Sequence, residues 1–83
     1  RIKEVTVQVM EDLKAILTEA GLEFSRVVKT TIFITEMNQF GTINGIYGKY
    51  FQTAFPARET VQVSALPKMV NVEISMIAIK NQG

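Results

Sequence analysis

Arg58 and Glu73 are the residues of this chain whose types and spacing point most directly to chemistry. Arg58 closes the segment Phe55-Pro56-Ala57-Arg58 at the start of an extended run, and Glu73 follows between Val72 and Ile74 in a second, strongly apolar run. A guanidinium keeps its charge at any physiological pH, and its planar fork matches a carboxylate through two parallel hydrogen bonds. A carboxylate in a partly dry pocket handles a proton or orients a water. If the intervening Leu66-Pro67-Lys68 segment folds the two runs back on each other, both groups face one small pocket, and the pair predicts chemistry on a small carboxylic acid. Each residue also has a plainer reading. Arg58 alone is an exposed strand residue paired with Glu59 or Glu73, since arginines are mostly at the surface. Glu73 alone is an outward-facing strand residue, or a partner for Arg58 or Lys68.

Composition removes most competing chemistries. The 83 residues contain neither cysteine nor histidine. Disulfides are therefore excluded, which fits a reducing, cytoplasmic setting. Thiolate and imidazole metal ligands are excluded as well, together with Ser-His-Asp and Cys-His nucleophile systems. Acid–base work falls to carboxylates, Lys, Tyr or a positioned water. Nine basic and eight acidic residues leave a net charge of +1. That balance offers no basic stripe for nucleic acid. No apolar run is long enough to span a bilayer, and no signal segment opens the chain. A hydrophobic content of 47% supports one small domain over residues 1–83 with a core of its own.

The elements that must position Arg58 and Glu73 follow from periodicity. Residues 2–20 read as an amphipathic helix, with Ile2, Val5, Val9, Leu13, Ile16, Leu17 and Ala20 at spacings of three and four, and Gly21 as its stop. The β-branched Val5, Thr6, Val7 and Val9 make a short strand the competing reading there. Residues 27–35 read as a strand with Val28, Thr30, Ile32 and Ile34 on one face. Asn38 is the expected N-cap of a second helix over residues 40–51, which carries Phe40, Ile43, Tyr47, Tyr50 and Phe51 near one stripe. Gly41, Gly45 and Gly48 weaken that helix by roughly 1 kcal/mol each, so packing must outweigh propensity; they also permit close approach of a sheet or a neighbouring subunit. The aromatic cluster of Tyr47, Tyr50, Phe51 and Phe55 reads as core packing. Residues 60–65 and 70–80 read as strands, the second with Val70, Val72, Ile74, Met76 and Ala78 on one face and Asn71, Glu73, Ser75, Ile77 and Ile79 on the other. Residues 81–83 read as a frayed tail. The order α-β-α-β-β predicts an α+β domain with two helices on one face of a mixed sheet. The uncovered face would still present Val, Ile and Met, which predicts oligomerisation.

Four pieces, Val28-Lys29-Thr30-Thr31, Pro56-Ala57-Arg58, Leu66-Pro67-Lys68 and Val72-Glu73-Ile74, occur in an order and spacing that resembles the Rid, or YjgF-like, family of enamine/imine deaminases. The resemblance runs from Ile2 to Lys80 and implies a Rid/chorismate-mutase-like fold. It also implies that the chain is the carboxy-terminal two thirds of a family domain, without the amino-terminal strands that contribute a tyrosine and a serine or glycine-bordered turn to the family pocket. By resemblance, Arg58 receives the substrate carboxylate and Glu73 positions the attacking water, while Asn44 supports the pocket. Thr60 stands where many family members carry cysteine; its plain reading is a β-propensity residue in a strand, with backbone contact to the ligand as the alternative. The family further implies a homotrimer with clefts between subunits, no cofactor, and hydrolysis of 2-imino or enamine acids to 2-keto acids and ammonia. Two alternatives follow: a non-catalytic, small-carboxylate-binding regulatory trimer, and an RNA-directed activity known from old family names, against which the balanced charge speaks.

Overall fold

Helical periodicity prevails over β-branching at the start of the chain. In the computed structural model, which describes residues 1–51 and 55–80, Ile2–Glu19 form one helix, α1. Thr6 sits fully buried within it, and its hydroxyl donates to the Ile2 carbonyl at 2.7 Å, so the polar group of this weak helix former is satisfied inside the turn. The buried stripe is Thr6, Met10 and Leu17, flanked by half-buried Ile2, Val5, Val9 and Leu13. Ile16 and Ala20, expected on that stripe, are exposed, because the stripe centred on residues 6, 10, 13 and 17 is rotated by one residue from the face they occupy. Gly21 ends the helix as expected: at φ 77° it turns the chain so that its N–H donates to Thr18 and the Leu22 N–H to Leu17 at 2.8 Å. This pair of bonds satisfies carbonyls the helix leaves open.

β1 (Val27–Ile34) is the central strand. Thr30, Ile32 and Ile34 face the core as the alternation predicts, but Val28 does not. A bulge between Val27 and Lys29 shifts the register, burying Val27 and turning Val28 to solvent. The 3₁₀ turn Met37–Gln39 leads into α2 (Phe40–Gly48). Asn38 lies inside that turn and does not cap α2; the N-cap position belongs to Gln39, without a side-chain cap bond. α2 is shorter than residues 40–51. Its last turn tightens, with Tyr50 N–H donating to the Tyr47 carbonyl at 3.1 Å and Phe51 N–H to that of Gly48 at 3.2 Å, and this delivers Phe51 into the core. No atom of the described residues lies within 4 Å of where a side chain at Gly41 or Gly45 would begin, so neither glycine serves approach to the described sheet.

β2 (Ala57–Gln62) runs parallel to β1, and β3 (Val72–Ala78) antiparallel to it, giving the order β2-β1-β3. β2 begins three residues earlier than the strand expected over 60–65. The Leu66-Pro67-Lys68 segment therefore makes no hairpin between β2 and β3. It carries the chain across the end of β1, held there by Val63 N–H to the Ile34 carbonyl at 2.8 Å and Thr35 N–H to that of Asn71 at 3.2 Å. The crossing requires positive φ at two consecutive non-glycine residues, Lys68 at 62° and Met69 at 57°. Both helices pack on one face of this mixed three-stranded sheet around Met10, Leu17, Ile32, Ile34, Ile43, Tyr47, Phe51, Val72 and Ile74. No helix among the described residues is long and apolar enough to cross a membrane. The tail expected at 81–83 lies outside the described residues.

Candidate functional site

Register decides which face each polar residue occupies. Arg58 on β2 pairs with Thr30 on β1, and Thr60 with Ile32. Thr30 and Ile32 are buried under the helices, so Arg58 and Thr60 are set on the helix-covered face. Glu73 on β3 pairs with Phe33, one residue out of phase, while its neighbours Val72 and Ile74 are buried. Glu73 therefore points to the uncovered face. The expected Arg58–Glu73 pocket does not exist within one chain: β1 lies between the two strands, and the pleat sends the two side chains to opposite sides of the sheet.

The structure does bring Arg58 and Asn44 together. The Arg58 Nη1 donates to Asn44 Oδ1. The guanidinium carbon lies 5.3 Å from the ring centroid of Phe40 and 5.4 Å from that of Tyr47, within cation–π range of both. Asn44, Tyr47 and Gly48 follow one another on the helix face that looks toward β2. With Arg58, Phe55 and Pro56 they line a cleft of ≈ 410 Å³. Tyr47 is a rigid wall: its ring is 2% exposed, and its hydroxyl donates to the buried Thr30 Oγ1 at 3.1 Å. That bond uses the phenol, so Tyr47 offers the cleft its ring alone.

The electrostatics of the cleft are those of one fixed cation. Among the described residues, the ion pairs are the amino terminus with Glu4 at 2.7 Å and Lys29 with Glu59 at 3.6 Å; neither involves Arg58. Arg58 is exposed near the start of β2, as its plain reading has it, but among the described residues it pairs with neither Glu59 nor Glu73. Asn44 occupies one of the five guanidinium N–H groups, which fixes the plane of the fork and leaves donors for a two-bonded carboxylate. Thr60 is half-buried on the same face but does not line the cleft.

Sequence reasoning missed Gly48, Phe55 and Pro56 as cleft residues, and Phe40 and Tyr47 as the rings beside Arg58. The aromatic cluster was legible, and Tyr47 and Phe51 are core as expected. Phe55, however, is 62% exposed at the rim. The adjacency of Phe55 and Pro56 to Arg58 in sequence was the available signal.

The uncovered face is different in character. Glu73 is exposed there, near Phe33, Ser75 and Ile77. Glu59 accepts a hydrogen bond from Thr31 Oγ1 at 3.3 Å and pairs with Lys29. Exposed Val61 and Ile77 and half-buried Phe33 supply the apolar surplus expected on this side. Met76 is not among them; it packs on the core side.

Known proteins share this sequence and arrangement. The family model described as Endoribonuclease L-PSP matches residues 1–80. The 2-iminobutanoate/2-iminopropanoate deaminase of Mus musculus is 47% identical over 79 residues, covering 95% of this chain and 58% of the mouse protein. A Yersinia pestis protein of unknown function from the conserved Rid protein family superposes with a TM-score of 0.92 at 51% identity, covering 94% of this chain and 63% of that one. Escherichia coli TdcF, solved with bound serine, superposes with a TM-score of 0.93 at 39% identity, covering 98% and 66%. The chain thus spans less than two thirds of the length of these relatives.

Proposed function

Because the chain belongs to the Endoribonuclease L-PSP family, the Rid or YjgF-like proteins, we propose that it hydrolyses 2-imino or enamine acids to 2-keto acids and ammonia, with the Arg58 cleft as the carboxylate-binding half of the site. The observation that carries this reading is a guanidinium without a carboxylate partner among the described residues, braced by Asn44 between two aromatic rings. The name of the mouse relative supports the reaction class. The serine bound to TdcF supports a small ligand bearing a carboxylate.

The substrate carboxylate lies on the free edge of the Arg58 fork, which holds the C=N carbon near the mouth of the cleft. Water adds to that carbon, a proton passes to nitrogen, and the resulting carbinolamine expels ammonia to leave the ketone. The imine is already electrophilic, so positioning accounts for much of the acceleration. The step needs a group to orient water, and none of the six cleft residues has an acid–base side chain free to do so. Glu73 fills that role only from a second copy, since its own sheet separates it from Arg58. We therefore extend the proposal to a homotrimer in which the uncovered face of one subunit brings Glu73 to the Arg58 cleft of the next. Thr60 contributes backbone contacts at most.

The absence of a base from the cleft also favours a second reading, in which the same pocket binds a small carboxylate without turning it over. An imine of pyruvate or 2-oxobutanoate, generated in situ by an amino-acid oxidase, separates the two. Faster imine loss with protein present, abolished in Arg58→Ala, supports the hydrolase. Saturable binding of 2-oxobutanoate without any acceleration supports the binding module. Acceleration that survives in Arg58→Ala overturns the role given to Arg58. RNA cleavage, despite the family description, is not proposed, because a net charge of +1 supplies no phosphate-tracking stripe.

A further inference from the structure

We propose that Gly48 and Phe55 make the cleft selective for 2-imino acids with a bulky apolar side chain, aromatic ones above all; this rests on reading the Arg58 cleft as the carboxylate-binding half of the site. The polar members of the lining, Arg58 and Asn44, are joined by a hydrogen bond and so form one polar patch in the cleft. The remaining lining, Tyr47, Gly48, Phe55 and Pro56, is apolar. A ligand anchored by its carboxylate at the polar patch directs its side chain along that apolar wall or out to solvent.

Two features open the wall. Gly48 places no side chain on the helix surface there, and among the described residues a Cβ built on it would meet only the edge of the Phe55 ring, at 4.0 Å. Phe55 is backed by the core through Phe51, with ring centroids 6.1 Å apart at 44°, yet remains 62% exposed. A large aromatic left open beside a bare helix surface is a surface on which a flat apolar group can stack. In a single chain the cleft measures ≈ 410 Å³, above the roughly 300 Å³ at which pockets for drug-sized ligands begin.

The test reads binding and turnover separately, on the intact protein. The unreactive keto acids phenylpyruvate and pyruvate are titrated by calorimetry, and the imines derived from phenylalanine and alanine are followed for hydrolysis. Phenylpyruvate is expected to bind about tenfold or more tightly than pyruvate, and kcat/KM is expected to favour the phenylalanine imine by a similar ratio. Gly48→Leu fills the wall and is expected to bring both ratios to about one. Gly48→Ala, whose added methyl makes only ordinary contact with Phe55, reduces them partially. Far-UV circular dichroism checks that α2 persists in both variants. Equal binding of the two keto acids, or ratios unmoved by Gly48→Leu, overturns the selectivity while leaving the hydrolase reading intact. Selective binding without hydrolysis of either imine does the reverse, removing the hydrolase reading and keeping the selectivity.

Discussion

The two faces of the sheet present opposite solutions to placing charge. On the helix-covered face, Arg58 is aligned by Asn44, Phe40 and Tyr47, and the wall beneath it is locked by the buried Tyr47–Thr30 bond. On the uncovered face, Glu73 stands exposed, near half-buried Phe33. The first face is preorganised by this chain alone. The second has the same period-two alternation, but no helix of the described residues packs over it. The proposed carboxylate-binding geometry is thus built into the fold of one chain, whereas the proposed water-orienting group requires a second copy to approach the open face. Each of the following experiments tests that division.

The largest effect is expected at Arg58. Hydrogen bonds to charged groups contribute about 1.5–3 kcal/mol each, so losing a two-bonded clamp in Arg58→Ala lowers keto-acid affinity by roughly a hundredfold or more, read by calorimetry. Because Arg58 is exposed and has no ion pair among the described residues, its loss costs only its Asn44 bond and ring contacts, and the unfolding free energy in urea falls by about 1–2 kcal/mol at most. Arg58→Lys keeps the charge without the fork and recovers only part of the affinity. A large loss of stability in Arg58→Ala would show instead that the guanidinium is a structural strut.

Next comes Glu73. General-base catalysis contributes typically about 10²–10⁴-fold, so Glu73→Gln lowers kcat by roughly a hundredfold while keto-acid binding stays nearly unchanged. The decisive variant of this experiment mixes copies. If the two groups meet between subunits, inactive Arg58→Ala and inactive Glu73→Gln proteins, unfolded together and refolded, regain a fraction of the activity, because some junctions pair an intact Arg58 with an intact Glu73. No recovery in the mixture, with both proteins refolded and assembled, rejects the inter-subunit pairing.

Tyr47 carries a smaller effect, and in stability rather than chemistry. Tyr47→Phe leaves the Thr30 hydroxyl buried without the donor seen at 3.1 Å, which costs about 1–3 kcal/mol. Thr30→Val in the same protein removes the stranded group and recovers part of that loss. Urea unfolding of the two singles and the double gives the coupling directly. Additive losses would mean that the bond does not brace the wall behind Arg58.

Much of this division was legible in the sequence, and the unread part has a common cause. The alternation of β3 correctly separated Val72 and Ile74 from Glu73, and Gly21 correctly ended α1. Both are local: a pleat and a left-handed turn depend on neighbours within a few residues. Residue type nominated Arg58 and the family resemblance Asn44, and the structure joins the two. It failed where the answer depended on strand order. Placing β1 between β2 and β3 is a non-local choice, and it converted an expected Arg58–Glu73 pair into residues on opposite faces. The misplacement of Val28 has the same character on a smaller scale, since a bulge is visible only against the partner strand. Asn38 has the residue type of a cap, but the turn preceding α2 absorbs it.

The smallest effect lies in the segment that imposes this strand order. Between β2 and β3 the chain must cross the end of β1, and it does so through left-handed backbone at Lys68 and Met69. A side chain at such a position costs about 1–2 kcal/mol relative to glycine. Glycine in turn gives up about 0.4–1 kcal/mol through greater freedom in the unfolded chain. Lys68→Gly is therefore expected to raise the urea midpoint by the equivalent of about 0.5–1 kcal/mol without changing the slope. Lys68→Ala is the control, because alanine retains the steric cost and removes only an exposed charge; its midpoint stays near the parent's. If glycine and alanine behave alike, the gain comes from charge and not from backbone, and the crossing is unstrained. If glycine alone stabilises, the separation of Arg58 from Glu73 is held against a local cost, and the packing of Val72 and Ile74 against β1 on the covered face is what offsets it.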